Sequence, residues 1–225
     1  NVAIERVLAM IDEGADIIDI GGASTRPGSD PVSDFEQLER IMPIFEAIGK
    51  TFGSKLLLSI DTTSSIVAEA ALNAGAKIIN DVSAGLNDPK MFRLAAEKEI
   101  PIVLMHSKGT PKTMQDNPFY FNVIQEILDS LNERIDSALK AGIKNENIVI
   151  DPGIGFGKTH EHNLQLVRSA SRFTQLGRPI LIGHSRKGFI GKLIGNKEAD
   201  RMAGTLGVSL ALARQGIQIL RVHDV

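Results

Sequence analysis

Six polar side chains stand at the ends of apolar runs. Asp61 closes LLLSID, Asn80 closes KIIN, Asp151 closes NIVID, Lys187 follows PILIGHSR, and Arg221 and His223 lie in ILRVHD. A carboxylate accepts paired hydrogen bonds, an amide both donates and accepts, and paired cations hold an anion. Arg221 and His223 alternate on the last run, which predicts both side chains on one strand face. The plain structural alternative for Asp61, Asn80 and Asp151 is helix capping. For Arg221 and His223 it is an ion pair with Asp224 or Asp200.

The elements that must position these residues follow from the same runs. A β-branched run bounded by Gly or Pro reads as a strand buried on both faces. Strands are expected at 16–21, 55–60, 77–82, 101–105, 147–151, 179–184 and 219–223. Helical spacing is expected over 2–13, 33–49, 64–74, 88–98, 120–141, 161–174, 187–194 and 200–215. Strands alternating with helices make a parallel sheet, whose sites lie at the carboxyl ends of the strands. Seven strands fall one short of a (βα)8 TIM barrel. The reading is one domain over 1–225, a barrel lacking its first strand and last helix, with a strand expected before Asn1 and a helix after Val225. Such a piece is expected to need those segments for stability and activity. An open doubly wound sheet is the rival; polar chemistry at nearly every strand end favours the barrel. Two long loops, Gly22–Ser33 and His106–Pro118, would overhang its mouth.

Composition narrows the function classes. The 225 residues are 43% hydrophobic, which is enough for one large core. A net charge of -2 and a pI near 6.2, with no basic run, give no case for nucleic acid. No apolar stretch is long enough for a membrane helix. The chain has no cysteine, so thiolate chemistry and disulfides are excluded. GIGFGKT imitates a phosphate-binding loop, but Pro152 stands where that motif needs its first Gly. His160 and His162 are two apart, a poor spacing for a zinc pair on a helix.

Seven segments occur in order: DIGGASTRPG (Asp19–Gly28), SIDTTSS (Ser59–Ser65), IINDVSAG (Ile78–Gly85), VLMHSKGTPKTMQ (Val103–Gln115), DPGIGFGKT (Asp151–Thr159), GHSRKGFIG (Gly183–Gly191) and RVHDV (Arg221–Val225). Together they closely resemble the dihydropteroate synthase family of pterin-binding TIM barrels, over essentially the whole chain. The resemblance implies condensation of 6-hydroxymethyl-7,8-dihydropterin pyrophosphate with p-aminobenzoate in folate biosynthesis, with Mg²⁺ as cofactor.

It also implies residue roles. Asp61, Asn80 and Asp151 match pterin ligands, and Met105 is placed against the pterin face, although core filling is the better explanation of a strand Met. Lys187 matches a lysine between the pterin and second-substrate sites. Arg221 and His223 match diphosphate contacts. Thr25, Arg26 and Pro27 match a loop that helps form the p-aminobenzoate pocket, which Phe156 would line. Lys187, Arg221 and His223 are the expected catalytic groups. The expected Mg²⁺ ligand lies before Asn1, so none is named in this chain. Ala23 stands where many members carry Glu, and Gly188 where many carry a larger side chain. A cytoplasmic homodimer acting on small molecules and sensitive to sulfonamides is the family expectation, organellar if the source is eukaryotic. The alternatives are a pterin-binding methyltransferase barrel and a non-catalytic barrel module of a larger fused protein.

Overall fold

The computed structural model describes residues 2–53, 56–196 and 198–225. The start of the second expected strand, at position 55, lies outside the described residues. The elements run α1 Val2–Asp12, β1 Ile17–Gly21, α2 Asp34–Phe52, β2 Leu57–Asp61, α3 Ser65–Asn73, β3 Ile78–Asp81, α4 Lys90–Glu97 and β4 Ile102–Met105. They continue with α5 Val123–Lys140, β5 Ile148–Asp151, α6 His160–Arg168, β6 Leu181–Gly183, α7 Gly188–Leu193, α8 Met202–Ala213 and β7 Ile219–Arg221.

Strands β1 to β5 form one parallel sheet in sequence order. The register sets Gly21 beside Asp61, Asp61 beside Asn80, and Met105 beside Asp151. β6 and β7 form a second parallel pair, joined to β5 by the Ile150–Ile180 bridge. The result is a seven-stranded partial barrel wrapped by helices. Among the described residues, neither β1 nor β7 carries a strand on its outer edge. The seam between them is a cleft of about 480 Å³, with Ile17, Asp19, Gly183, Lys187, Arg221 and His223 on its walls.

The period-two pleat sorts the side chains. Ile18, Ile20, Leu58, Ile60, Ile79, Ile102, Leu104, Ile148 and Ile150 are buried in the hydrophobic core shared with the helices. That core receives Ile41, Phe45 and Ile48 from α2, and Ile127, Leu131 and Ile135 from α5, at helical spacing. The opposite parity lines the barrel interior, including Asp19, Ser59, Asn80, Val103, Val149 and Arg221. Asp61, Met105 and Asp151 share that parity, so the polar strand ends converge on the interior rather than on the helices.

Boundaries differ from expectation where polar chemistry competes with the helix. The last turns expected of the helix at 161–174 are instead a tighter 3₁₀ segment, Ala170–Leu176. It follows Ser169, which leaves helical geometry at φ -117 and ψ 23. The helix expected from 120 begins at Val123, because the Asn122 side chain caps it by accepting from the Gln125 amide. β7 ends at Arg221, so His223 sits beyond the strand on the following turn.

Candidate active site at the carboxyl end of the barrel

None of the three polar strand ends caps the following helix. α3 is capped by Ser64 and α6 by Thr159. Asp151 Oδ1 accepts from the Gly153 amide at 2.7 Å, which turns its carboxylate toward the barrel mouth. Gly153 allows that turn because it adopts φ +69, and a Cβ there would lie 1.9 Å from the His106 carbonyl oxygen. Asn80 Nδ2 donates to Asp19 Oδ2 at 2.9 Å. Asp61 Oδ2 accepts from Arg221 Nη2 at 2.7 Å, and Arg221 Nε donates to Asp19 Oδ2 at 2.6 Å. The alternative weighed for Arg221, an ion pair with Asp224 or Asp200, is not what forms: Arg221 takes these two bonds and Asp224 pairs with Arg186.

Lys187 stands just before α7, at its N-cap, and donates to the Ile154 carbonyl. Its ammonium also lies 4.5 Å from the centre of the Phe156 ring. The turn that delivers it is fixed from several sides. Arg186 has φ +56, its amide donates to Thr205 Oγ1, and its guanidinium makes two bonds to Asp224. His223 meets Ser185 Oγ through both its backbone amide, at 3.2 Å, and Nδ1, at 3.0 Å. Gly188 has open space where a Cβ would stand.

Two carboxylates, Asp19 and Asp61, share one guanidinium. Burial pushes the Asp61 carboxyl up to about 7, and the neighbouring Asp19 charge adds to that push against the pull of Arg221. Burial also raises Asp151, opposed by Lys187. Burial lowers Lys187 to about 8, with Asp151 opposing the fall. Burial pulls Arg221 down, but Asp19 and Asp61 outweigh it and hold the guanidinium above its usual value. His223 is lowered by burial and by the nearby charges of Arg186, Arg221 and Arg26. The cluster thus offers carboxylates for ring N–H donors, and cations for an anion, in one desolvated mouth.

Thr25, Arg26 and Pro27 lie in the loop after β1, outside this cluster. That loop is tied to the loop after β4: the Gly28 amide donates to the Pro111 carbonyl at 2.8 Å, and Lys112 pairs with Asp30 at 2.8 Å. Phe156 is half-buried beside Lys187. Met105 is buried at the mouth, packed near Gly153.

Some structurally important residues went unrecognised in the sequence. Lys158, 2% exposed, turns inward, where its ammonium meets His106 Nδ1 at 3.0 Å and donates to the Phe156 carbonyl at 2.9 Å. Burial drives this lysine well below its ordinary value. Burial and the Lys158 charge press His106 down to about 3, so it stays neutral and accepts. His162 completes the cap of α6 with Thr159. Asp19 was legible only as part of its motif; its inward parity with Gly21 on β1 was the available signal.

Gly153→Ala should cost about 2–3 kcal/mol of stability, because alanine is strained at this φ and its methyl overlaps the His106 carbonyl. Thermal or urea unfolding measures this, and an unchanged midpoint would contradict the tight-turn account.

Comparison with known proteins gives a consistent picture. The profile of the pterin binding enzyme family matches residues 1–223. A dihydropteroate synthase of Haemophilus influenzae is 43% identical over 223 residues, covering 99% of this chain and 80% of that protein. The crystal structure of Yersinia pestis dihydropteroate synthase with a sulfonamide drug complex superposes with a TM-score of 0.94 at 38% identity, over 99% of this chain and 80% of that one. A Xanthomonas albilineans dihydropteroate synthase with 4-aminobenzoic acid gives 0.91 at 42% identity, over 100% of this chain and 79% of that one.

Proposed function

The chain belongs to the pterin-binding enzyme family, and on that premise we propose that it is the transferase that makes 7,8-dihydropteroate in folate biosynthesis. It joins 6-hydroxymethyl-7,8-dihydropterin pyrophosphate to p-aminobenzoate and releases pyrophosphate. The observation that carries this reading is the gathering of Asp61, Asn80, Asp151 and Lys187 at one end of one barrel, beside the guanidinium of Arg221.

Asp151 receives neighbouring N–H donors of the pterin's pyrimidine edge, a strong charge-assisted arrangement. Asn80 donates and accepts at a mixed ring edge. Asp61 exchanges its bond to Arg221 for a pterin donor. Met105 packs on the ring, and Lys187 bridges the pterin and the second substrate beside Phe156. Arg221 and His223 hold the diphosphate. The exocyclic methylene carbon loses its bond to the diphosphate oxygen, and that electron pair leaves with pyrophosphate. The aromatic amine supplies the pair for the new C–N bond and then loses a proton. No side-chain nucleophile takes part; positioning and electrostatics supply the acceleration. Thr25, Arg26 and Pro27 complete the p-aminobenzoate pocket, which is also where sulfonamides would bind.

The family also implies magnesium. Among the described residues no three His, Cys, Asp or Glu side chains gather around a metal position. The one buried acidic oxygen without a donor among them, Asp19 Oδ1, belongs to a carboxylate already bound by Arg221 and Asn80. These residues do not fit a metal cage made by the protein. Magnesium bound with the diphosphate substrate would neutralise charge on the leaving pyrophosphate. No step above runs through it.

A homodimer in the cytoplasm completes the proposal. No described helix is long and apolar enough to cross a membrane. α8 presents Met202, Leu206 and Leu210 to the outside at four-residue spacing, 54%, 61% and 58% exposed. A second copy of the chain is the occupant proposed for this face. Leu206→Arg should convert a sedimenting dimer to monomer; a wild-type monomer at micromolar concentration would end that assignment.

The reaction itself is tested by following dihydropteroate formation from the two substrates. Arg221→Met should weaken binding of the pyrophosphate ester by about tenfold or more, while a pterin without diphosphate keeps most of its affinity. Equal losses for both ligands would make Arg221 structural.

Asp61 also predicts a pH dependence. Its carboxyl is held up to about 7, and the ionised form is the stronger acceptor for its ring donor. Affinity for 6-hydroxymethylpterin should therefore be full above this value and fall by up to about tenfold per unit below it. In Asp61→Asn, calorimetry should show this limb reduced, leaving what Asp151 contributes.

A further inference from the structure

Asp19 has no place among the ligands proposed above, yet two of them converge on it. Its side chain is 14% exposed, within the barrel and below the mouth. One oxygen, Oδ2, accepts both Arg221 Nε at 2.6 Å and Asn80 Nδ2 at 2.9 Å. Arg221 comes from β7, Asn80 from β3 and Asp19 from β1. Among the described residues no backbone ladder joins β7 to β1. One carboxylate oxygen thus links Arg221 to Asn80.

We infer that Asp19 is a positioning residue, which holds the diphosphate-binding guanidinium and the ring-binding amide at a fixed spacing so that one pyrophosphate ester spans both. The inference rests on the function proposed above. Its physical content lies in the two arms of Arg221. Nη2 is bound to Asp61, which must release it to take a pterin donor. Nε remains on Asp19, so the guanidinium stays in place and its freed amino group turns to phosphate. Without Asp19 the guanidinium has Asp61 as its remaining charged partner and stays on it, obstructing the ring site. In Asp19→Asn, Asn80 also exchanges a charged acceptor for a weaker neutral one, and its amide is held less firmly.

A double-mutant cycle separates this role from a general contribution to folding, because residues acting through one another are non-additive. Inorganic pyrophosphate and 6-hydroxymethylpterin are the probes, with affinities read by calorimetry and melting temperatures read alongside. Asp19→Asn should weaken pyrophosphate by about tenfold or more in the otherwise unaltered protein. In the Arg221→Met background, the same change should alter pyrophosphate affinity less than about twofold. The pterin should follow the same logic: weakened by Asp19→Asn alone, and unaffected by it once Asn80 is Ala and Arg221 is Met together. Should Asp19→Asn alone fail to fold, the decisive comparison is the Asp19→Asn/Arg221→Met pair against Arg221→Met. That pair removes one charge of each sign, and equal pyrophosphate affinity supports the inference. Equal losses in both backgrounds, or no loss in either, overturn it. Failure of the unaltered protein to bind either probe would overturn the functional reading, and the inference with it.

Discussion

The guanidinium of Arg221, shared by Asp19 and Asp61, is the interaction on which the site depends. It links β7 to β1 and β2 across the barrel interior. Burial keeps Asp61 up near neutrality, and the neighbouring Asp19 charge adds to that push against the pull of Arg221. The same cluster is both a structural clasp and a poised binding site. Under the proposed function, a ligand that brings ring donors to Asp61 and phosphates to Arg221 gives each group a new partner in place of the bond they share.

The opposite wall is built by a different device. Asp151 is aimed by the Gly153 amide, and Gly153 fits only because it has no side chain against the His106 carbonyl. Beneath it, Lys158 gathers His106 and the Phe156 carbonyl into one buried hydrogen-bonded knot. Tyr120 adds a bond from its hydroxyl to the Gly157 carbonyl. These contacts fix the loop after β5 against the loop after β4, and so fix Phe156 beside Lys187. One wall is therefore rigid through backbone and buried polar bonds, whereas the other is held by charge that a ligand redistributes. A site that binds a flat ring rigidly and a mobile leaving group electrostatically suits a reaction whose charge develops on the departing diphosphate.

Much of the fold was legible in the sequence, because each strand carries its own local signature. Runs such as IVID and LLSID alternate helix-facing and interior residues, and the pleat alone sends Ile60 and Ile150 to the helices and Asp61 and Asp151 inward. Asn80 and Asp81 are neighbours with opposite fates for the same reason. Asn80 faces the interior cluster, whereas Asp81 is tied into the turn after β3, accepting from Ser83 and Gly85. Seven strands, their parallel order and the polar carboxyl-end mouth all follow from that local pattern and from short connections.

What the tertiary structure alone decided is who meets whom across the interior. Arg221 was read as an anion ligand, with Asp224 or Asp200 as its fallback partner, both near it in sequence. Its partners in the fold lie 202 and 160 residues away. Lys158, in a segment resembling a phosphate loop, turns instead onto His106, 52 residues earlier. Local periodicity fixes which side of a strand a residue occupies. The distance between two such residues depends on register, stagger and closure, which are set by non-local packing. The sequence by itself therefore determined the barrel class, the face and the set of groups at its mouth. Only the folded chain decided that Asp19 would stand between Asn80 and Arg221, because that contact exists only where strands distant in sequence are brought together.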